Sequence, residues 1–484
     1  MIRLFAITLA LATALAGQAP LKAQVPAAAK MLLPRGQAYL GATFSMLVRD
    51  LSTGRVVAAY DTLRQVTPAS VLKLVTTATA LELLGPDYRF GTTIEHDGTI
   101  LPDGTLDGNL FIRGGGDPSL GSGHIEPTGF LEEWLAAIKK AGIRRIKGSV
   151  IADERFFDEE GISPKWLYED MGSYYGAGCY GISAFDNLYR LKLKSYGVGT
   201  RPDILSTDPE IPGLRFHNHL TTQNRSTDST LILGAPFDNE RYLYGAVPAN
   251  RQQVVIKGDI PDPALFLATY LTEALQEQGI QTTGKPGDYR LLKEEKHWPT
   301  GKRVELVTTW SPPLSELIRV TNFASHNLFA DALLKTLGRQ YPLKEGERIS
   351  YFSRGVEIVR RYWKERGVDT STLWIHDGSG LAMADKISAA FLIGVLERMA
   401  DNDVFVASIP KAGISGSVRN FLKKTKLEGI ARLKSGSMSR VRCYAGYVDY
   451  GKKRYAVALF VNNHALTSSQ INQRIERILL ETFK

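Results

Sequence analysis

Thr67-Pro-Ala-Ser70-Val-Leu-Lys73 opens a segment that runs through Leu81-Glu-Leu-Leu84 to Gly85. Thr67 stands where a helix cap belongs, Pro68 suits a first turn, and Gly85 is a stop, so the spacing predicts a helix over 67–85. Three residues apart on such a helix, Ser70 and Lys73 share one face. Ser70 falls in the first turn, where unpaired N–H groups and the helix dipole favour negative charge. A buried lysine there can give up its proton and serve as base for the serine hydroxyl. The pattern alone is common, since Ser408-Ile-Pro-Lys411 has the same spacing without a helical start.

Upstream of this segment, two apolar runs, Ala42–Arg49 and Arg55–Tyr60, flank the turn Asp50-Leu-Ser-Thr-Gly54 and read as a hairpin. The far end of the chain supplies matching strands at Ala431–Lys434, Cys443–Tyr450 and Arg454–Val461. A closing helix, about Ser468 to Phe483, carries Ile471, Ile475, Ile478 and Leu479 on one face. Early hairpin and late strands would share one antiparallel sheet with flanking helices, an α+β arrangement. Between them the texture changes: strands and Gly/Asp/Pro turns dominate residues 91–295, interrupted by helical stretches near Thr128–Gly142 and Asp262–Gly279. We expect an inserted β-rich region of one or two small domains at 91–295, and a discontinuous catalytic domain from 24–90 and 296–484.

The bulk numbers restrict the function classes. A 484-residue chain that is 44% hydrophobic and 23% charged is an ordinary globular composition, not a coiled coil or a multi-span membrane protein. Arg3 followed by the short apolar run Leu4–Ala16, with small-residue patterns at Ala14-Leu-Ala16 and Leu21-Lys-Ala23, reads as a signal peptide over 1–23. No window is long enough for a transmembrane anchor, so the expectation is export to the periplasm or cell-wall space. The net charge of +9 is dispersed, without the basic aromatic stripe of a nucleic-acid binder. Eight scattered histidines and two cysteines, Cys179 and Cys443, show no metal-ligand spacing, so neither metal nor cofactor is expected. Whether the two cysteines pair stays open.

Two further elements give Ser70-x-x-Lys73 its meaning. Ser325-His-Asn327 follows the amphipathic stretch Leu314–Thr321, and Lys434-Ser435-Gly436 falls on a strand beside the last hairpin. The order S-x-x-K, S-x-N, K-[ST]-G is that of penicillin-binding proteins and serine β-lactamases. In that chemistry Ser70 attacks an amide carbonyl while backbone N–H groups of Ser70 and Ser437 hold the oxyanion. Asn327 would hold the substrate amide and Ser325 would relay a proton to the leaving amine. Lys434 would offer its charge to a terminal carboxylate.

On these residues the sequence resembles the low-molecular-mass class C penicillin-binding proteins, the D-Ala-D-Ala carboxypeptidase/endopeptidases. The interval from Ser70 to Ser325 is far longer than in class A β-lactamases, and this family carries an insertion there. Arg113-Gly-Gly-Gly-Asp-Pro-Ser-Leu120, Asp377-Gly-Ser-Gly-Leu381, Ala412-Gly-Ile-Ser-Gly416 and Ala445-Gly-Tyr-Val448 look like the family too. The resemblance implies hydrolysis of peptidoglycan stem peptides or their cross-links through an acyl-enzyme, and acylation by β-lactams. It also points to Asp170, in Trp166-Leu-Tyr-Glu-Asp170, and to Met438 as contacts for the substrate side chain. Ser435 replaces the usual threonine and His326 a common aspartate; the retained hydroxyl at 435 leaves activity expected. A β-lactamase or esterase, or a wall-binding penicillin sensor without turnover, are the competing readings.

Overall fold

The computed structural model describes residues 41–126, 129–340 and 349–484; the expected signal peptide lies outside them. A five-stranded sheet joins the early and the late strands of the chain. Its strands are β1 (Thr43–Asp50), β2 (Val56–Tyr60), β3 (Ala431–Met438), β4 (Val441–Tyr450) and β5 (Lys453–Asn462), in the spatial order β2-β1-β5-β4-β3. Every neighbouring pair is antiparallel, so the early hairpin and the late strands do share one sheet.

Both faces of that sheet are covered, and strand alternation shows how. Leu47, Cys443, Ala445, Tyr447, Ala456, Ala458 and Phe460 enter one core, with the helices α1 (Lys73–Leu84), α2 (Leu314–Phe323), α3 (Asn327–Arg339), α4 (Tyr351–Glu365) and α5 (Ala389–Arg398). Phe44, Met46, Val48, Tyr444, Val457, Leu459 and Val461 face the other core, closed by α6 (Ser468–Thr482) through Ile471, Ile475, Ile478 and Leu479. Helix α1 is buried from Lys73 through Leu81, all but its last turn, which makes it the central helix rather than a surface one. Its threonines satisfy their hydroxyls on backbone carbonyls: Thr77 and Thr79 bond back four residues, to Lys73 and Val75.

The start of that helix departs from the expectation. Ala69–Leu72 form a 3-10 turn and the α-helix begins only at Lys73. Thr67 does not cap it; its hydroxyl oxygen accepts from Lys386 Nζ at 2.8 Å. The reason lies at Ala69, whose φ of 47° turns the chain into the left-handed region just ahead of Ser70. Gly85, at φ 82°, ends the helix as its position suggests.

The inserted region has two hydrophobic cores. One, around Ile94, Leu110, Trp134, Val150 and Leu271, is built from two small sheets and the helices Phe130–Lys140 and Pro263–Glu277. The other, around Tyr189, Leu191, Leu243 and Val247, lies among short strands between residues 188 and 259. The far boundary differs from the one expected at 295. Val304–Trp310 pairs antiparallel with Gly91–His96, so sheet pairing carries the inserted region on to Trp310. Among the described residues no helix is long and apolar enough to cross a membrane.

Candidate active site

Three elements meet at Ser70. The 3-10 turn presents the hydroxyl, α1 supplies Lys73, and the edge strand β3 closes against the turn. That approach requires glycine at 436: a Cβ there would lie 2.6 Å from the Pro68 carbonyl oxygen and 3.1 Å from the Val71 nitrogen. Opposite, the loop Asp377–Leu381 comes equally close. A Cβ on Gly380, whose φ is +77°, would meet the Ala69 carbonyl oxygen at 2.0 Å.

Lys73 Nζ donates to Ser70 Oγ at 3.0 Å, to Asn327 Oδ1 at 2.7 Å and to the Ser379 carbonyl at 2.6 Å. The side chain is wholly buried. Burial lowers its pKa from 10.5 to about 8, against the pull of the nearby carboxyls of Asp331, Asp377 and Asp385. Burial in turn holds Asp331 and Asp385 well above the usual carboxylate range, helped by the neighbouring Asp377. Asp377 is the hub of this loop. Its Oδ1 accepts from Ser379 and Gly380 N–H, and its Oδ2 from Ala382 N–H and Trp166 Nε1. The Asp377 turn thus fixes the Ser379 carbonyl that holds Lys73, and Trp166 ties it to the inserted region.

Ser325, His326 and Asn327 are adjacent in sequence but point to three different partners. Ser325, at φ 60°, receives a hydrogen bond on Oγ from Lys434 Nζ at 2.8 Å. Asn327 is held at both ends of its amide: Oδ1 accepts from Lys73, and Nδ2 donates to the Tyr175 carbonyl at 2.7 Å. Its amide is therefore engaged in positioning Lys73. His326 turns to the inserted region, with Nε2 3.1 Å from Asp186 Oδ1.

Lys434 is fully buried, and burial together with the charge of Lys73 keeps its pKa well below the ordinary lysine value. Its ammonium contacts Ser325 Oγ and the Ser435 carbonyl, so the described geometry directs it to Ser325. Ser435 Oγ lies 2.8 Å from Ser417 Oγ.

In front of Ser70 lies a cavity of about 490 Å³, lined by Ser70, Ser325, Asn327, Ser437 and Met438, with Asp170, Tyr174 and Tyr175 from the inserted region. Asp170 is 6% exposed, accepts from the Leu167 N–H at 3.1 Å, and is pushed to a higher pKa by burial. The structure therefore brings Ser70, Ser325, Asn327, Ser437, Asp170 and Met438 to one cavity, with Lys73 and Lys434 behind it. Sequence reasoning did not find Asp331, Asp385, the Ser379 carbonyl or the Tyr175 carbonyl; of these only the Asp377-Gly-Ser-Gly turn left a signal. Cys179 and Cys443 are both free and buried, each thiol raised to about 12 by burial.

A buried lysine on a serine hydroxyl, backed by a second lysine–serine pair on an antiparallel sheet with flanking helices, defines a serine acyl-transfer enzyme of the β-lactamase/transpeptidase fold. Residues 31–482 match the D-Ala-D-Ala carboxypeptidase 3 (S13) family, and the chain belongs to that family. It is 26% identical over 439 residues to a D-alanyl-D-alanine carboxypeptidase of Actinomadura sp. (strain R39), covering 88% of this chain and 78% of that one. It is 22% identical over 451 residues to the D-alanyl-D-alanine carboxypeptidase DacB of Haemophilus influenzae, covering 92% and 90%. The crystal structure of penicillin binding protein 4 (dacB) from Haemophilus influenzae has the same fold. It superposes with a TM-score of 0.78 at 21% identity, over 94% of this chain and 98% of that one.

Proposed function

We propose that this chain is an exported enzyme that removes the terminal D-alanine from peptidoglycan stem peptides, and cuts D-Ala–diaminopimelate cross-links by the same chemistry. The observation that carries the reading is Lys73 Nζ, buried, 3.0 Å from Ser70 Oγ, behind an open cavity. With a pKa of about 8, roughly one lysine in ten is neutral at pH 7 and able to accept the Ser70 proton. Ser70 Oγ then forms a bond to the substrate carbonyl carbon, and the oxyanion is held by the N–H groups of Ser70 and Ser437. Collapse breaks the C–N bond, and the departing amine takes a proton through Ser325, which Lys434 orients. Water completes the cycle by hydrolysing the ester to Ser70 and the shortened peptide. No step calls for a metal or a cofactor.

Asp170 and Met438 stand on the same cavity and would receive the amino-bearing end of the stem peptide. The charged apolar-run N-terminus supports export to the periplasm or wall space. A β-lactam presents the same amide geometry, and one solved structure of the Haemophilus influenzae protein is a complex with a β-lactam. Intact-mass spectrometry after incubation with benzylpenicillin tests the reading. A covalent adduct on the wild type and none on Ser70→Ala is expected. Folded wild type that leaves penicillin intact and unbound would overturn it, and rapid breakdown of penicillin would favour a β-lactamase.

A further inference from the structure

The inserted region meets the S-x-N segment at a second cluster of side chains that the peptidase chemistry does not use. His124 and Asp186 from the inserted region and His326 from the start of α3 each offer one ligand atom, and the three atoms lie within 4.8 Å of one another. The residues are scattered along the chain, which is why sequence spacing suggested no metal. We propose that His124, Asp186 and His326 form a binding site for a divalent transition-metal ion of the zinc class, which staples the inserted region to the residue between Ser325 and Asn327.

The distances suit the ion. His326 Nε2 is 3.1 Å from Asp186 Oδ1. Neighbouring ligand atoms on a tetrahedral zinc ion, with bonds near 2.1 Å, stand about 3.4 Å apart. His124 is exposed and free to close the remaining gap; its ring already stands 5.1 Å from that of His326, at 86° between planes. His326 is only partly used by protein atoms, since its Nδ1 is buried with no hydrogen-bond partner. Nε2, the nitrogen that faces Asp186, is the ligand atom this geometry offers.

Asp186 is the fixed ligand. Ser122 Oγ donates to its Oδ1 at 2.5 Å and the Gly123 N–H to its Oδ2 at 3.3 Å, which is the outer-shell support that orients a metal-binding carboxylate. Phe185, Asp186 and Asn187 all have positive φ, 54°, 60° and 53°. Three consecutive non-glycine residues in that region are costly, and here they aim Asp186 at His326. The donor set, two imidazole nitrogens and one carboxylate oxygen, suits zinc, copper or nickel; calcium and magnesium take oxygen ligands. His124 also lines a cavity of about 690 Å³, which leaves a coordination position open to water.

The inference does not rest on the peptidase reading, because its test reads binding and not turnover. The full mature chain is stripped with chelator, titrated with zinc chloride by calorimetry, desalted, and its metal content measured by mass spectrometry. One zinc ion per chain is expected, with a rise in unfolding temperature that magnesium and calcium chloride do not produce. His124→Ala, an exposed position that leaves the fold intact, should weaken zinc binding by tenfold or more and abolish the thermal rise. Asp186→Asn and His326→Gln should do the same, with circular dichroism confirming that each is folded. Wild type that retains no zinc, or that binds it no better than His124→Ala, would show an Asp–His hydrogen bond only and overturn the site.

Discussion

Gly436→Ala is the perturbation most closely specified by the structure. The added methyl would sit 2.6 Å from the Pro68 carbonyl oxygen, 3.1 Å from the Val71 nitrogen and 3.2 Å from Ala69 Cβ. Real Cβ contacts essentially never fall below 3.0 Å, so β3 must retreat from the Ser70 turn by at least the difference between 3.0 and 2.6 Å, about 0.4 Å. The clash partners are backbone atoms on both sides, so no flexible side chain absorbs it. Overpacking of this kind costs about 1–3 kcal/mol. The larger effect falls on chemistry, because β3 carries Ser437 and Lys434 while the turn carries Ser70. A displacement approaching 1 Å between reacting groups costs on the order of a hundredfold, so acylation should slow by about 10- to 100-fold. The assay is the second-order rate of labelling by a fluorescent penicillin, with thermal unfolding measured in parallel. Gly197→Ala is the control, since a Cβ there meets nothing within 4 Å. A folded Gly436→Ala that is labelled at the wild-type rate, or a Gly197→Ala equally impaired, would refute the reasoning.

Acylation should rise by about tenfold per pH unit below pH 8 and level off above it, because Lys73 must be neutral to accept the Ser70 proton and burial sets its pKa at about 8; a pH profile of the labelling rate that is flat from 6 to 9 would contradict this. Trp166→Phe removes the 2.7 Å bond to Asp377 and should cost about 1–3 kcal/mol in thermal unfolding, with slower labelling because the Ser379 carbonyl loses its brace. Arg241 is fully buried and bonds Asp259 at 3.0 Å in the second core of the inserted region. Arg241→Met should therefore destabilise by about 3–5 kcal/mol in denaturant titration, while the folded fraction is labelled by penicillin at the wild-type rate.

The elements legible in the sequence are those whose signal is local. The 2-residue alternation of the late strands and the apolar face of α6 name their own partners, because one face of each must be buried. The helix start was less legible: a positive φ at Ala69 is set by β3 and the Asp377 loop pressing on the turn, and nothing in Thr67-Pro68-Ala69 announces it. The strand just beyond the expected boundary at 295 was hidden for a related reason. Val304–Trp310 is half-exposed and becomes part of the inserted sheet only by pairing with Gly91–His96, a partner more than two hundred residues away in the chain. At the site, motif order brought Ser70, Lys73, Ser325, Asn327 and Lys434 into view. The acids behind Lys73 were hidden, since Asp331 and Asp385 lie in no motif and reach Lys73 only through their charge in the folded interior.

The strained backbone at Ser325 links these observations. In an ordinary helix, residues 325, 326 and 327 would fan out around one axis, about 100° apart. With Ser325 in the left-handed region and His326 extended, the helix begins only at Asn327, and three neighbours serve three parts of the molecule. Ser325 reaches Lys434 on the sheet, Asn327 reaches Lys73 on the central helix, and His326 reaches Asp186 in the inserted region. A non-glycine residue held at φ 60° costs on the order of 1 kcal/mol, so the surrounding contacts must over-determine it. They do so from three directions. Any change that shifts the inserted region at Asp186 therefore acts on His326, and through one peptide on each side it reaches both Ser325, which Lys434 holds, and Asn327, which holds Lys73.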